Sequence, residues 1–284
     1  MFYYFLLLCM PVVNSCQSIA QKQYSLKYEK TNSILFSAVT SVIALGFFLI
    51  TSGLKLEFNA ALIPYSLTFA AAYSAAWVGT VLAVKYGLMA ITTLIVSCSL
   101  IFPTACGIFL GEPVTATIVI GMILLLASIV LANLKFDKSA RFTWKWFACA
   151  MVAFAGNGIC SVAQTLQKRM VGDSYSHEFM IIALAAASVL LFGYAAMTGK
   201  GLRDDFRRCL PFAAANGTAN GLINFLVLVT IGHIPNTVLY PSLSALNMIA
   251  TFLLALIAYK ERFSKIQYAG YALGIVSIVL LNVN

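Results

Sequence analysis

The sequence predicts an all-α integral membrane protein of ten transmembrane helices, built as two inverted five-helix repeats. Three observations carry this. Only 10% of the 284 residues are charged and 61% are hydrophobic, whereas a soluble domain is about 25% charged. All 9 Asp and Glu and all 18 Lys and Arg fall between ten apolar stretches. The second half of the chain also repeats landmarks of the first, in the same order.

The stretches are 2–21, 32–53, 61–84, 88–110, 113–133, 146–166, 179–198, 209–231, 236–259 and 266–283. Each approaches the roughly 20 residues that cross a hydrocarbon core as helix. Transmembrane strands would be about half as long and alternate in polarity, and no such alternation occurs. The first stretch lacks the basic start and small-residue cleavage site of a signal peptide, so it reads as a retained helix. The abundant rings, 20 Phe, 13 Tyr and 3 Trp, suit lipid-facing surfaces and interfacial belts. The seven cysteines lie inside or at the edge of apolar stretches without Cys-x-x-Cys spacing. They read as small hydrophobes, not as disulfides or metal ligands.

The repeat is clearest at the end of each half. Ser-Ile-Val-Leu-Ala-Asn at 128–133 answers Ser-Ile-Val-Leu-Leu-Asn at 277–282, and Glu112 and Gly121 precede the first as Glu261 and Gly270 precede the second, all at an offset of 149. In the opening helices Asn14, Ser18, Ala20 and Gln21 answer Asn157, Ser161, Ala163 and Gln164 at an offset of 143. Gly46, Thr51 and Pro64 answer Gly193, Thr198 and Pro211 at 147, and Ser97-x-Ser99 answers Ser242-x-Ser244 at 145. The repeats span 1–134 and 144–284. Five is an odd number, so the second copy enters the membrane from the opposite side.

The loops carry the orientation signal. The odd-numbered loops hold 15 Lys and Arg and the even-numbered loops 3. By the positive-inside rule the odd loops are cytoplasmic and both termini lie outside, in the cell (inner) membrane. The net charge of +9 is therefore read as a topology signal and not as a nucleic-acid patch.

Ala83-Val84-Lys85-Tyr86 closes the third stretch, Leu110-Gly111-Glu112 the fourth and Tyr259-Lys260-Glu261 the ninth. With Gly121 and Gly270 and the aliphatic runs after them, this set resembles the drug/metabolite transporter superfamily in its ten-helix, EamA-like form. The resemblance spans nearly the whole chain and implies two EamA-like repeats and a transport function. Two features depart from it. Members are drawn with both termini in the cytoplasm. Related small multidrug pumps also carry a carboxylate on the first helix, where this chain offers Asn14, Gln17 and Gln21.

A polar side chain in a lipid span is costly unless it faces protein or water, so polar spans mark a cavity. Asn216, Asn220 and Asn224 recur every four residues in the eighth stretch, and the 147 offset pairs Asn220 and Asn224 with Tyr73 and Trp77. Asn14, Gln17, Gln21, Asn157 and Gln164 come from the first and sixth stretches, and Tyr240, Ser242, Ser244 and Asn247 from the ninth. The substrate site is expected at Asn14, Gln17, Gln21, Tyr73, Trp77, Asn157, Gln164, Asn216, Asn220, Asn224, Tyr240 and Ser242. Any one amide could equally serve as interhelical glue. Glu112, before Pro113, is expected to cap the start of its own following helix, and Glu261 likewise.

No Asp, Glu, Lys or Arg lies within a stretch, so a fixed cation for phosphate and an obvious proton carrier are lacking. The expected function is alternating-access transport of a neutral, zwitterionic or aromatic organic solute, such as an amino acid or metabolite. The alternative is a lipid or lipid-linked sugar flippase. Enzymes fit poorly: Asp204-Asp205 lacks the second acidic cluster of a prenyltransferase, and His177 and His233 lie outside the apolar depth a serine protease needs. No cofactor or metal is expected. The expected partners are a small-molecule solute and the lipid bilayer, with no nucleic acid; a homodimer is left open.

Overall fold

Backbone N–H and C=O groups in lipid find no water, so each segment must satisfy its own. The computed structural model meets this with helices throughout. It describes residues 2–28, 32–53, 56–86, 89–133, 143–198, 202–257 and 263–282. The helices are α1 (Phe2–Lys27), α2 (Ser33–Thr51), α3 (Ile63–Tyr86), α4 (Met89–Ser97), α5 (Ile101–Phe109), α6 (Ala116–Asn133), α7 (Trp144–Met170), α8 (Ser176–Thr198), α9 (Leu202–Thr230), α10 (Asn236–Ile257) and α11 (Lys265–Asn282). Among the described residues, nine spans are long and apolar enough to cross a membrane, and Ala116–Ala132 is a shorter tenth. This all-helical architecture fits a multi-pass membrane protein.

The structure departs from the sequence reading in three ways. First, the fourth stretch is not one helix: α4 and α5 are joined by a 3₁₀ turn at Cys98–Leu100. Pro103 has no N–H to donate to the turn before it, which favours local tightening there. Second, several helices overrun their apolar stretches. α7 reaches Lys168 and Arg169, and α9 begins with Arg203, Asp204 and Asp205. Lys and Arg are good helix formers, and long side chains at helix ends reach toward the interface. Lys168 is nearly buried, and it donates to the Leu228 carbonyl near the end of α9 and pairs with Asp173 at 3.1 Å. Third, Glu112 caps another helix, as described below. Glu261 lies outside the described residues.

The order of contact is definite. α3 lies along α7, α1 along α9, α6 along α11, and α2 against both α8 and α9. Small residues set the closest approaches, as is usual where no hydrophobic force drives helices together. A Cβ on Gly156 of α7 would meet the Ala72 carbonyl of α3 at 2.6 Å, and one on Gly79 of α3 would meet the Ala153 nitrogen of α7 at 2.8 Å. At the α6–α11 crossing, Gly121 faces Leu281 and Gly270 faces Ala132. Between α2 and α8 the hydroxyls of Ser41 and Ser188 lie 2.8 Å apart, fully buried or nearly so. Of the small residues repeated between the opening helices of the two halves, Ala20 and Ala163 are buried, whereas Ser18 is exposed and Ser161 half-buried.

Helix starts follow ordinary capping chemistry. Asn32 accepts from the Ile34 and Leu35 amides to start α2, and Thr143 from Trp146 to start α7. Ser264 and Gln267 exchange bonds across the first turn of α11, at 3.0 and 3.3 Å, a capping box.

Candidate functional site

Side chains of α1, α3, α4, α5, α7, α9 and α10 line an open cavity of about 510 Å³, within the range of small-molecule sites. Ten of the sequence-predicted residues line it: Asn14, Gln17, Gln21, Tyr73, Trp77, Asn157, Gln164, Asn220, Asn224 and Tyr240. All sit well inside their helices. None of the described lining residues is Asp, Glu, Lys, Arg or His, so polarity here comes from amides, hydroxyls and rings.

Asn216 and Ser242 lie elsewhere, for a geometric reason. At 3.6 residues per turn a spacing of four drifts about 40° per step. Asn216 is therefore rotated about 80° from Asn224, and it turns to the Gln17 carbonyl of α1 at 3.1 Å, completely buried. Ser242 is two residues from Tyr240 and so faces the opposite side of α10, where Asn282 of α11 donates to it at 2.9 Å. Both residues join helices.

One wall of the cavity is a connected network. Tyr73 donates to Asn220 Oδ1 at 3.4 Å. Asn224 Nδ2 donates to the Asn220 carbonyl at 2.8 Å and to its Oδ1 at 3.3 Å, while Gln164 Nε2 donates to Asn224 Oδ1 at 2.9 Å. These bonds tie α3, α7 and α9 together. Asn157 donates to Ser99 beside the 3₁₀ turn at 2.6 Å, joining α7 to the α4–α5 break. Tyr240 donates to the Ser161 carbonyl at 3.2 Å and lies 3.4 Å from Thr165 Oγ1. The aromatic side is a run along α3: Phe69 stacks on Tyr73 at 5.7 Å, and Tyr73 meets Trp77 edge-on at 6.3 Å. Tyr73 is buried, whereas Trp77 is only partly buried.

The α1 amides differ. Asn14, Gln17 and Gln21 are spaced three and four apart, which keeps them within one helix face. Their side chains have no hydrogen-bond partner among the described residues. Asn247 of α10 also lines the cavity, and its buried Oδ1 is unpartnered there.

In the sequence Ser97 and Ser99 stand out only as repeat landmarks, and Thr80, Thr92 and Thr93 not at all; all five line the cavity. A hydroxyl in a helix bonds back to its own turn, as Thr80 does to the Ala76 carbonyl at 2.7 Å. Such a residue gives no strong polar signal. Cys160 also faces the cavity, and Cys16 is exposed.

Glu112 sits at the α5 end of this assembly. Gly111 takes a positive φ of 80°, the left-handed conformation that glycine adopts without Cβ strain. The Glu112 N–H bonds to the Gly107 carbonyl at 3.0 Å, which closes a Schellman turn. The carboxylate folds back over Gly107, where a Cβ would stand 2.4 Å from it. It then reaches α10: Asn236 Nδ2 donates to Oε1 at 2.6 Å and the Thr237 N–H to Oε2 at 2.9 Å. A carboxylate at the positive end of a helix is favourable. Through Asn236 the contact continues to Thr165 at 3.4 Å and on to Tyr240.

No family model and no curated protein matches the chain. One crystal structure of a protein superposes with a TM-score of 0.80 at 15% identity, covering 99% of this chain and 96% of that one. At that identity the likeness extends to the fold alone, and it runs over essentially the full length of both chains.

Proposed function

We propose that the chain is a multi-pass membrane transporter of the drug/metabolite type, moving a small organic solute of no net charge by alternating access. The observation that carries this is the cavity itself: ten amide and aromatic side chains from different spans line it, four of them buried (Tyr73, Gln164, Asn220 and Tyr240), with no charged residue among the described lining. Polar side chains within spans are costly unless they face protein, water or a solute, and the α1 amides among these have no protein partner among the described residues.

Two inverted five-helix repeats complete the proposal. Support comes from contacts that answer each other across the sequence offsets. Ser41–Ser188 and Tyr73–Asn220 are both 147 residues apart. Adding 149 to Gly121 and to Ala132 gives Gly270 and Leu281, so the Gly121–Leu281 and Gly270–Ala132 contacts are each other's counterparts. Self-answering contacts of this kind are expected along a pseudo-twofold axis in the membrane plane, with the solute site beside it. The cytoplasmic side is that of the odd-numbered loops, in the inner membrane of the cell.

The test is flux. Purified protein in liposomes should equilibrate a labelled neutral solute down its gradient, while protein-free liposomes do not. Movement of a fluorescent lipid between leaflets with no solute flux would favour the flippase instead.

A further inference from the structure

The cavity groups divide into those already bonded to protein and those that are not. Asn220, Asn224, Gln164 and Tyr73 are bonded to one another. Among the lining amides, Asn14, Gln17 and Gln21 on α1 are the ones whose whole side chains have no hydrogen-bond partner among the described residues; the Ser97 and Ser244 hydroxyls also line the cavity without one. From Asn14 to Gln21 the α1 face runs roughly 10 Å at the helical rise of 1.5 Å per residue. Each primary amide presents a donor and an acceptor side by side. That pattern complements a molecule whose own edge alternates donors and acceptors. It is the pairing by which Asn and Gln read base edges. Trp77, which lines the cavity and is only partly buried, is the ring available for stacking, and stacking of a flat heterocycle on an aromatic side chain is strong and tolerant of which base it is.

From this we infer that the solute is an uncharged, planar nitrogen heterocycle of the nucleobase or nucleoside class, hydrogen-bonded along the α1 amides and stacked on Trp77. The inference rests on the transport reading for its setting, but binding is measurable without transport. A free carboxylate or ammonium would meet no opposite charge among the lining residues, whereas a lactam edge meets matched amides. On this reading Asn220 and Asn224 are positioning residues and Gln17 and Gln21 touch the solute.

Two measurements test it. In the first, the purified full chain is titrated with uracil, hypoxanthine, adenosine, leucine and tetraphenylphosphonium while tryptophan fluorescence is followed. The heterocycles should quench, and Trp77→Phe should abolish the change although Trp144 and Trp146 remain. Gln17→Leu should weaken heterocycle affinity about tenfold, the effect of leaving one solute group unpaired, with the melting temperature unchanged. Gln21→Ala should do the same in smaller degree, and it reads the site if Gln17→Leu fails to fold. In the second, liposomes containing the protein are assayed for flux of the same five solutes.

Binding and flux of leucine or the cation without the heterocycles overturns the solute class and leaves the transport reading standing. Heterocycle binding without any flux keeps the class and overturns transport. Neither binding nor flux of any solute overturns both. Wild-type affinity in Gln17→Leu and Gln21→Ala, with affinity lost at normal stability in Asn224→Leu, overturns the division between α1 and α9.

Discussion

Glu112 and Asn236 are joined by a 2.6 Å hydrogen bond from the amide to the carboxylate, while the second carboxylate oxygen takes the Thr237 N–H. Three residues of one motif make this possible. Gly111 turns the chain, Glu112 folds back, and Gly107 leaves the space it folds into. Hydrogen bonds to charged groups contribute about 1.5–3 kcal/mol each. Glu112→Ala should therefore lower the melting temperature in detergent clearly, and Glu112→Gln by less, since it retains one acceptor. Equal melting of all three proteins would mean that the contact does not hold α5 to α10.

The α9 network gives a second prediction. Asn224→Leu removes the acceptor of Gln164 and the donor to Asn220, so stability should fall by about 1 kcal/mol, the scale of interhelical polar contacts in membranes. Gln17→Leu should not change it. The comparison is made by thermal unfolding of both variants in one detergent.

Gly156→Ala tests the α3–α7 crossing. Its Cβ would meet the Ala72 carbonyl and the Ala76 nitrogen, at 2.6 and 2.8 Å. Neither is a side chain that can swing away, so the helices must separate, at a cost of about 1–3 kcal/mol for overpacking. Gly46→Ala, with nothing within 4 Å, is the control. If the two variants melt alike, the helices do not approach as closely as described.

Orientation follows from the 15 to 3 charge ratio between loops. A periplasmic reporter fused after Asn284 should be active and a cytoplasmic one silent. The opposite result restores the arrangement usual in drug/metabolite transporters.

Coupling is the last prediction. With no Asp, Glu, Lys, Arg or His among the described residues that line the cavity, a pH gradient across reconstituted vesicles should not drive uphill accumulation. Accumulation that collapses when the gradient is dissipated would place a proton carrier where none is seen, and Glu112, three bonded residues from the cavity, would be the first to replace.

The sequence made the spans legible because hydrophobicity and charge exclusion act over 20 residues at a time. Side-chain facing was legible only where spacing matched the helix. Asn14, Gln17 and Gln21 keep one face, but a strict spacing of four carried Asn216 out of the cavity, and a spacing of two from Tyr240 placed Ser242 behind α10. The partner of Glu112 was not legible. The motif Leu110-Gly111-Glu112 reads as a turn, but which helix end the carboxylate meets depends on packing between α5 and α10, 124 residues apart at Glu112 and Asn236.

The position of α1 has a consequence for biogenesis. Its neighbours are α9 and α10, which leave the ribosome only after seven other helices. Until then Asn14, Gln17 and Gln21 have no cavity to line. Once inserted, α1 must therefore wait with three amides exposed until α9 and α10 arrive to enclose it. A chain truncated before α9 would leave it stranded, a natural substrate for membrane quality control.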